Sequence, residues 1–139
     1  MAARKAVSTW NGTLKEGKGV MTFGSFSGPF SFASRFEEGD GTNPEELAGA
    51  AHSGCFSMFL AALITEEGKT PTSVRTTATV HLGQNDGPAI TKIELSCEAD
   101  VPGLAPERFA ELAQSAKEKC PISRLFAGTE ITLKAELKR

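Results

Sequence analysis

Between Asn43 and Gly68 the sequence leaves room for little except one long helix. Asn43 has the side chain of an N-cap, Pro44 suits the first helical position, and Glu46 stands at the capping-box position. Gly68 is placed to stop a helix that runs to about Glu66. Inside it, Ala48-Gly49-Ala50-Ala51-His52-Ser53-Gly54-Cys55 is built almost wholly of small residues. Glycines in a helix interior cost about 1 kcal/mol each relative to alanine. Gly49 and Gly54 therefore predict that something approaches this helix closely.

The flanking segments have the two-residue period of strands. Ala6–Trp10, Gly19–Phe23 and Phe30–Phe36 read as an antiparallel meander. In the third, Phe30, Phe32 and Phe36 share one face and Arg35 takes the other. Beyond the long helix, Val74, Thr76, Ala78, Val80 and Leu82 alternate with polar residues, Asn85-Asp86-Gly87-Pro88 turns the chain, and Ile93, Leu95, Cys97, Ala99 and Val101 form the inward set of a second strand. Phe109, Leu112, Ala113 and Ala116 then recur at helical spacing from Pro106 to about Lys119. Pro121 opens a short helix, Ile122 to Phe126, with Cys120 as its N-cap, and Ile131, Leu133, Ala135 and Leu137 end the chain as a half-buried strand. With no repeat, linker or domain boundary visible, one domain over residues 1–139 is expected.

A chain of 139 residues can bury a genuine core, and its 40% apolar and 23% charged residues are ordinary globular usage. Fifteen basic against seventeen acidic residues, with no basic block, argue against nucleic acid as a partner. The longest apolar stretch, Phe56 to Ile64, falls short of the ~20 residues a bilayer crossing needs, so no membrane span is expected. The start, Met-Ala-Ala-Arg-Lys, lacks the apolar run of a secretory signal, and a cytoplasmic location is the expectation.

The three cysteines are too few for a disulfide scaffold. Cys97 reads as a small core residue between Leu95 and Ala99. Cys55 follows the small-residue segment and is as compatible with packing as with chemistry. Cys120 stands at a helix start, where free N–H groups and the helix dipole favour a thiolate, though inert capping residues also occupy such positions. Two cysteines on separate helices, together with an arginine on a strand face otherwise made of small residues, would suit thiol redox chemistry: attack of a thiolate on an O–O bond, then condensation of the sulfenic acid with a second thiol. Taken alone, Arg35 reads first as an exposed strand residue in a solvated ion pair. His52, Cys55 and Cys120 together would offer three zinc ligand types, but no Cys-x-x-Cys or His-x-x-x-His pair supports a metal site. His52 reads instead as a packing or hydrogen-bonding residue, and His81 as a solvent-facing strand residue.

The residues Gly41-Thr42-Asn43-Pro44-Glu45-Glu46-Leu47, Gly49-Ala50-Ala51-His52, Cys55-Phe56-Ser57-Met58 and Lys119-Cys120-Pro121-Ile122-Ser123 resemble the osmotically inducible protein C and organic hydroperoxide resistance family. The likeness extends to Trp10-Asn11-Gly12, Ser34-Arg35-Phe36-Glu37, Thr70-Pro71-Thr72-Ser73 and Ile131-Thr132-Leu133. His52 and the lack of tyrosine favour the osmotically inducible branch. The resemblance implies a cysteine-based peroxidase acting on organic hydroperoxides, and more weakly on hydrogen peroxide. Cys55 would be the attacking thiol and Cys120 the resolving one, with Arg35 held over the sulfur by Glu45. It further implies an α+β fold in an intertwined homodimer with antiparallel sheets outside and long central helices, no cofactor or metal, and a dithiol reductant such as a lipoylated protein.

Glu45 and Cys55 on one helix lie about 15 Å apart along its axis, so a site shared by Arg35, Glu45 and Cys55 needs another copy of the chain. The competing expectation is a non-enzymatic stress protein that holds an apolar small molecule and whose thiols are incidental.

Overall fold

The computed structural model describes residues 2–139, which divide into two compact units, the first ending at Leu47 and the second beginning at Ala48. In the first, β1 (Ala6–Asn11), β2 (Lys18–Phe23) and β3 (Phe26–Phe30) form an antiparallel meander. Trp10 packs on Phe30, with ring centroids 5.3 Å apart.

The expected strand over residues 30–36 is corrected. The strand ends at Phe30 and α1 (Phe32–Phe36) follows. Ser31 caps this helix: its hydroxyl accepts from the Ser34 N–H at 3.1 Å, and the Ser34 hydroxyl accepts from the Ser31 N–H at 2.8 Å. Phe32 and Phe36 then stack one turn apart, with centroids 4.9 Å apart. The aromatic spacing read as a strand face is also the i, i+4 spacing of a helix, and the serine pair decides between them.

The long helix α2 (Pro44–Glu66) has the predicted boundaries. The Asn43 carbonyl oxygen of the side chain accepts from the Glu46 N–H at 2.8 Å, while the Glu46 carboxylate turns to Thr42 Oγ1 instead of closing the capping box. Gly68, at φ +79°, ends the helix in the left-handed region.

The second unit is built on a sheet of order β4 (Ser73–Gln84), β5 (Pro88–Asp100), β6 (Glu130–Leu137). β4 and β5 are an antiparallel hairpin whose turn carries Asp86 at φ 57° and Gly87 at φ 108°. β6 runs parallel to β5, which corrects the expectation of wholly antiparallel sheets. A parallel neighbour needs a crossover, and α3 (Pro106–Lys119) with α4 (Pro121–Leu125) supplies it.

His52, Phe56, Leu60 and Ile64 of α2 are fully buried and recur every fourth residue. Phe56, Leu60 and Ile64 join Ile93, Leu95, Cys97 and Ala99 of β5 and Phe109, Leu112, Ala113 and Ala116 of α3 in one apolar core. At Gly49 a methyl would lie 3.4 Å from Val80 Cγ2 and 3.5 Å from the Ala78 carbonyl oxygen, ordinary packing distances, so β4 lies against the helix there without an approach that only glycine allows. Gly54 faces open space within the chain, beside the exposed residues Ala50, Ala51, Met58 and Ala62. With small and apolar residues on both sides, α2 is long and apolar enough, by length and composition alone, to cross a bilayer. The short apolar stretch read from the sequence is part of this longer helix.

Leu60→Ala, in the middle of the buried stripe, is expected to lower the free energy of unfolding by about 2–5 kcal/mol. Urea titration measures it, and a loss under about 1 kcal/mol would contradict the placement of that stripe in the core.

Candidate active site

Cys120 sits where α3 gives way to α4. Its N–H completes α3 by donating to the Ala116 carbonyl at 3.0 Å, and Pro121 forces the new direction. As the N-cap of α4 its sulfur accepts from the Ser123 N–H at 3.4 Å, and its thiol donates to Ser123 Oγ at 3.1 Å. The side chain is fully buried.

Cys55 lies half-buried on α2, next to Phe56 of the buried stripe. The fold of the second unit brings it near Cys120 and the Ile122 N–H, close enough for both to act on its titration. Burial pushes the Cys55 thiol above its ordinary range, the Ile122 N–H pulls it back, and the neighbouring Cys120 adds to the rise. Both cysteines are free thiols. Cys97 points into the core from β5, 1% exposed, and burial raises its thiol as well. It takes the packing role expected of it.

Arg35 and Glu45 meet in the first unit. The guanidinium is bidentate, Nε to Oε1 at 3.0 Å and Nη2 to Oε2 at 2.8 Å, with the Arg35 side chain 37% exposed and that of Glu45 11%. Two contacts set this geometry. The Ser34 hydroxyl donates to the Thr42 carbonyl at 2.7 Å, and the Asn43 side-chain amide donates to the Ser34 carbonyl at 2.9 Å. They tie α1 to the entry of α2, so that residues on successive helices face each other. Arg35 therefore projects from a helix and not from a strand, and its planar fork matches the carboxylate.

Sequence reasoning placed His52 at a helix interface without seeing its partner. The ring is fully buried, its Nε2 is 2.8 Å from Ser123 Oγ, and its edge meets the Phe126 ring at 5.5 Å. Nδ1 has no hydrogen-bond partner. Ser123 was visible only as the third residue after a capping cysteine, which is the position that bonds back to an N-cap. His81 is solvent-facing as expected and pairs with Glu94 at 2.7 Å. Among the described residues, no group of three or more His, Cys, Asp or Glu side chains is arranged to hold a metal ion.

Burial holds His52 below its ordinary value of 6.5. The folded state thus resists a proton that the unfolded chain accepts, so the stability His52 permits is complete above pH 6.5 and is lost as pH falls below it. The unfolding free energy of the wild-type chain should fall more steeply from pH 6.5 downwards than that of His52→Gln. Parallel pH profiles for the two proteins would show that the burial carries no such linkage.

Residues 37–136 match the family model described as OsmC-like protein. The chain is 48% identical to Peroxiredoxin OsmC of Escherichia coli strain K12, across 97% of this chain and 96% of that relative. It is 33% identical to the Organic hydroperoxide resistance protein of Xanthomonas axonopodis pv. citri, across 68% of this chain and 67% of the relative. The crystal structure of an OsmC-like protein from Mycoplasma pneumoniae superposes with a TM-score of 0.80, at 14% identity, over 99% of each chain. On sequence and fold together, this chain belongs to the OsmC-like protein family.

Proposed function

We propose that this chain is a cysteine-based peroxidase that reduces organic hydroperoxides, and hydrogen peroxide more weakly, through Cys55 and Cys120. The observation that carries the reading is the convergence of two thiols, far apart in sequence, while the third is packed away as core. The names of the relatives, a peroxiredoxin and an organic hydroperoxide resistance protein, support it.

The Cys55 thiolate attacks the terminal oxygen of the hydroperoxide. The O–O bond breaks, an alkoxide leaves and takes up a proton as the alcohol, and Cys55 becomes a sulfenic acid. Cys120 then attacks the Cys55 sulfur and water departs, leaving a disulfide. An external dithiol such as a lipoylated protein restores both thiols by exchange.

Cys55 needs help to ionise, because its own surroundings raise it. In this reading the bidentate Arg35–Glu45 pair supplies it: Glu45 fixes the guanidinium, and Arg35 stabilises the thiolate and the negative charge on the departing oxygen. The separation of Glu45 and Cys55 along α2 makes a second copy part of the site. A homodimer packed through α2 fits the face that Ala50, Gly54 and Met58 leave uncovered, Met58 being 79% exposed. The proposed enzyme works in the cytoplasm as a single domain and takes no cofactor or metal.

With cumene hydroperoxide and a lipoyl reductant, Cys55→Ser is expected to abolish turnover. Cys120→Ser should still consume one equivalent of peroxide and then stall, its Cys55 sulfenic acid open to irreversible oxidation. Full multi-turnover activity in Cys120→Ser would overturn the resolving role, and three unmodified thiols in the wild-type chain would favour a binding protein. Sedimentation during turnover tests the assembly: a fully active monomer refutes the shared site.

A further inference from the structure

His52 and Ser123 are buried, polar and bonded to each other, yet the reaction as described uses neither. Burial keeps the His52 ring neutral at ordinary pH, so it carries one N–H. If that proton sat on Nδ1, a buried N–H would be left with no acceptor, because Nδ1 has no partner. An orphaned buried N–H is rarer and costlier than a bare acceptor. The proton therefore belongs on Nε2, which donates to Ser123 Oγ at 2.8 Å.

That assignment fixes what the serine can do. With an oxygen lone pair occupied by the histidine, the Ser123 hydroxyl proton is free to turn toward Cys120 Sγ, 3.1 Å away. In the resting thiol the Cys120 S–H donates to Ser123 Oγ. Once the sulfur loses its proton the same contact reverses, and the Ser123 O–H joins the Ser123 N–H, 3.4 Å away, in donating to the anion. We propose that His52 is a positioning residue for the resolving step: it acts through Ser123, whose hydroxyl stabilises Cys120 as it becomes the nucleophile that attacks oxidised Cys55.

The inference rests on the peroxidase reading for its place in the cycle, but the chemistry is that of Cys120 alone. In the cycle, the Cys120 S–H proton goes to the departing hydroxyl of the Cys55 sulfenic acid and leaves as water. The Cys120 sulfur is oxidised and the Cys55 sulfur reduced as the S–S bond forms, with no further reagent.

A peroxide-free assay separates the two readings. Ellman's reagent converts the half-buried Cys55 to a mixed disulfide and releases one nitrobenzoate thiolate. Cys120 then attacks the Cys55 sulfur, forms the internal disulfide and expels a second one. Ser123→Ala and His52→Phe are expected to leave the first release within a factor of about three and to slow the second about tenfold to a hundredfold, the cost of one hydrogen bond to a charged group. His52→Gln, which keeps an N–H near the Nε2 position, should recover most of the rate, and Ser123→Ala with His52→Phe should be no slower than Ser123→Ala alone. Second-phase rates in Ser123→Ala equal to wild type would overturn the proposal, as would a Gln variant as slow as Phe. Failure of the peroxidase reading would look different: a normal two-phase release with Ellman's reagent and no oxidation of Cys55 by hydroperoxide.

Discussion

Two thiols held against each other inside a protein are a costly arrangement for ionisation. Burial, and to a lesser degree the neighbouring Cys120, push the Cys55 thiol up. The same proximity is what the proposed disulfide would require. The crossover from α3 into α4 makes the arrangement possible, because Pro121 stops one helix, starts the next, and leaves Cys120 facing α2 at the joint. The nearby Ile122 N–H partly offsets the rise at Cys55, and the Ser123 N–H donates to the Cys120 sulfur.

The Arg35–Glu45 pair complements this. A guanidinium held bidentately by a carboxylate keeps its orientation while its unused edge remains available to another anion. In the proposed enzyme the charge that the thiol site lacks arrives from a second copy, and substrate chemistry is tied to assembly. A long helix with small and apolar residues on its uncovered side is a reasonable structural basis for that coupling, since the backbone can approach closely where Gly54 leaves open space.

Much of this was legible in the sequence because the signals were local. Asn43, Pro44 and Gly68 fixed the long helix, strict alternation fixed β4 and β5, and Cys120-Pro121 marked the helix joint. Residues 30–36 were misread because Phe32 and Phe36 satisfy a strand face and a helical turn equally, and only the Ser31 and Ser34 hydroxyls distinguish them. The parallel pairing of β6 was out of reach, since the period of a strand carries no information about the direction of its neighbour. For the same reason the residues alone left Cys55 evenly balanced between packing and chemistry. Its meeting with Cys120 is a long-range contact, as is the bond between His52 and Ser123.

The central claim is that the sulfurs of Cys55 and Cys120 are bonding partners, and peptide mapping of the oxidised chain under non-reducing conditions tests it most directly. The account predicts a single linked peptide joining the segments that contain Cys55 and Cys120, with Cys97 recovered as a free thiol. A linkage through Cys97, or Cys55 recovered only as a disulfide between two chains, would contradict it.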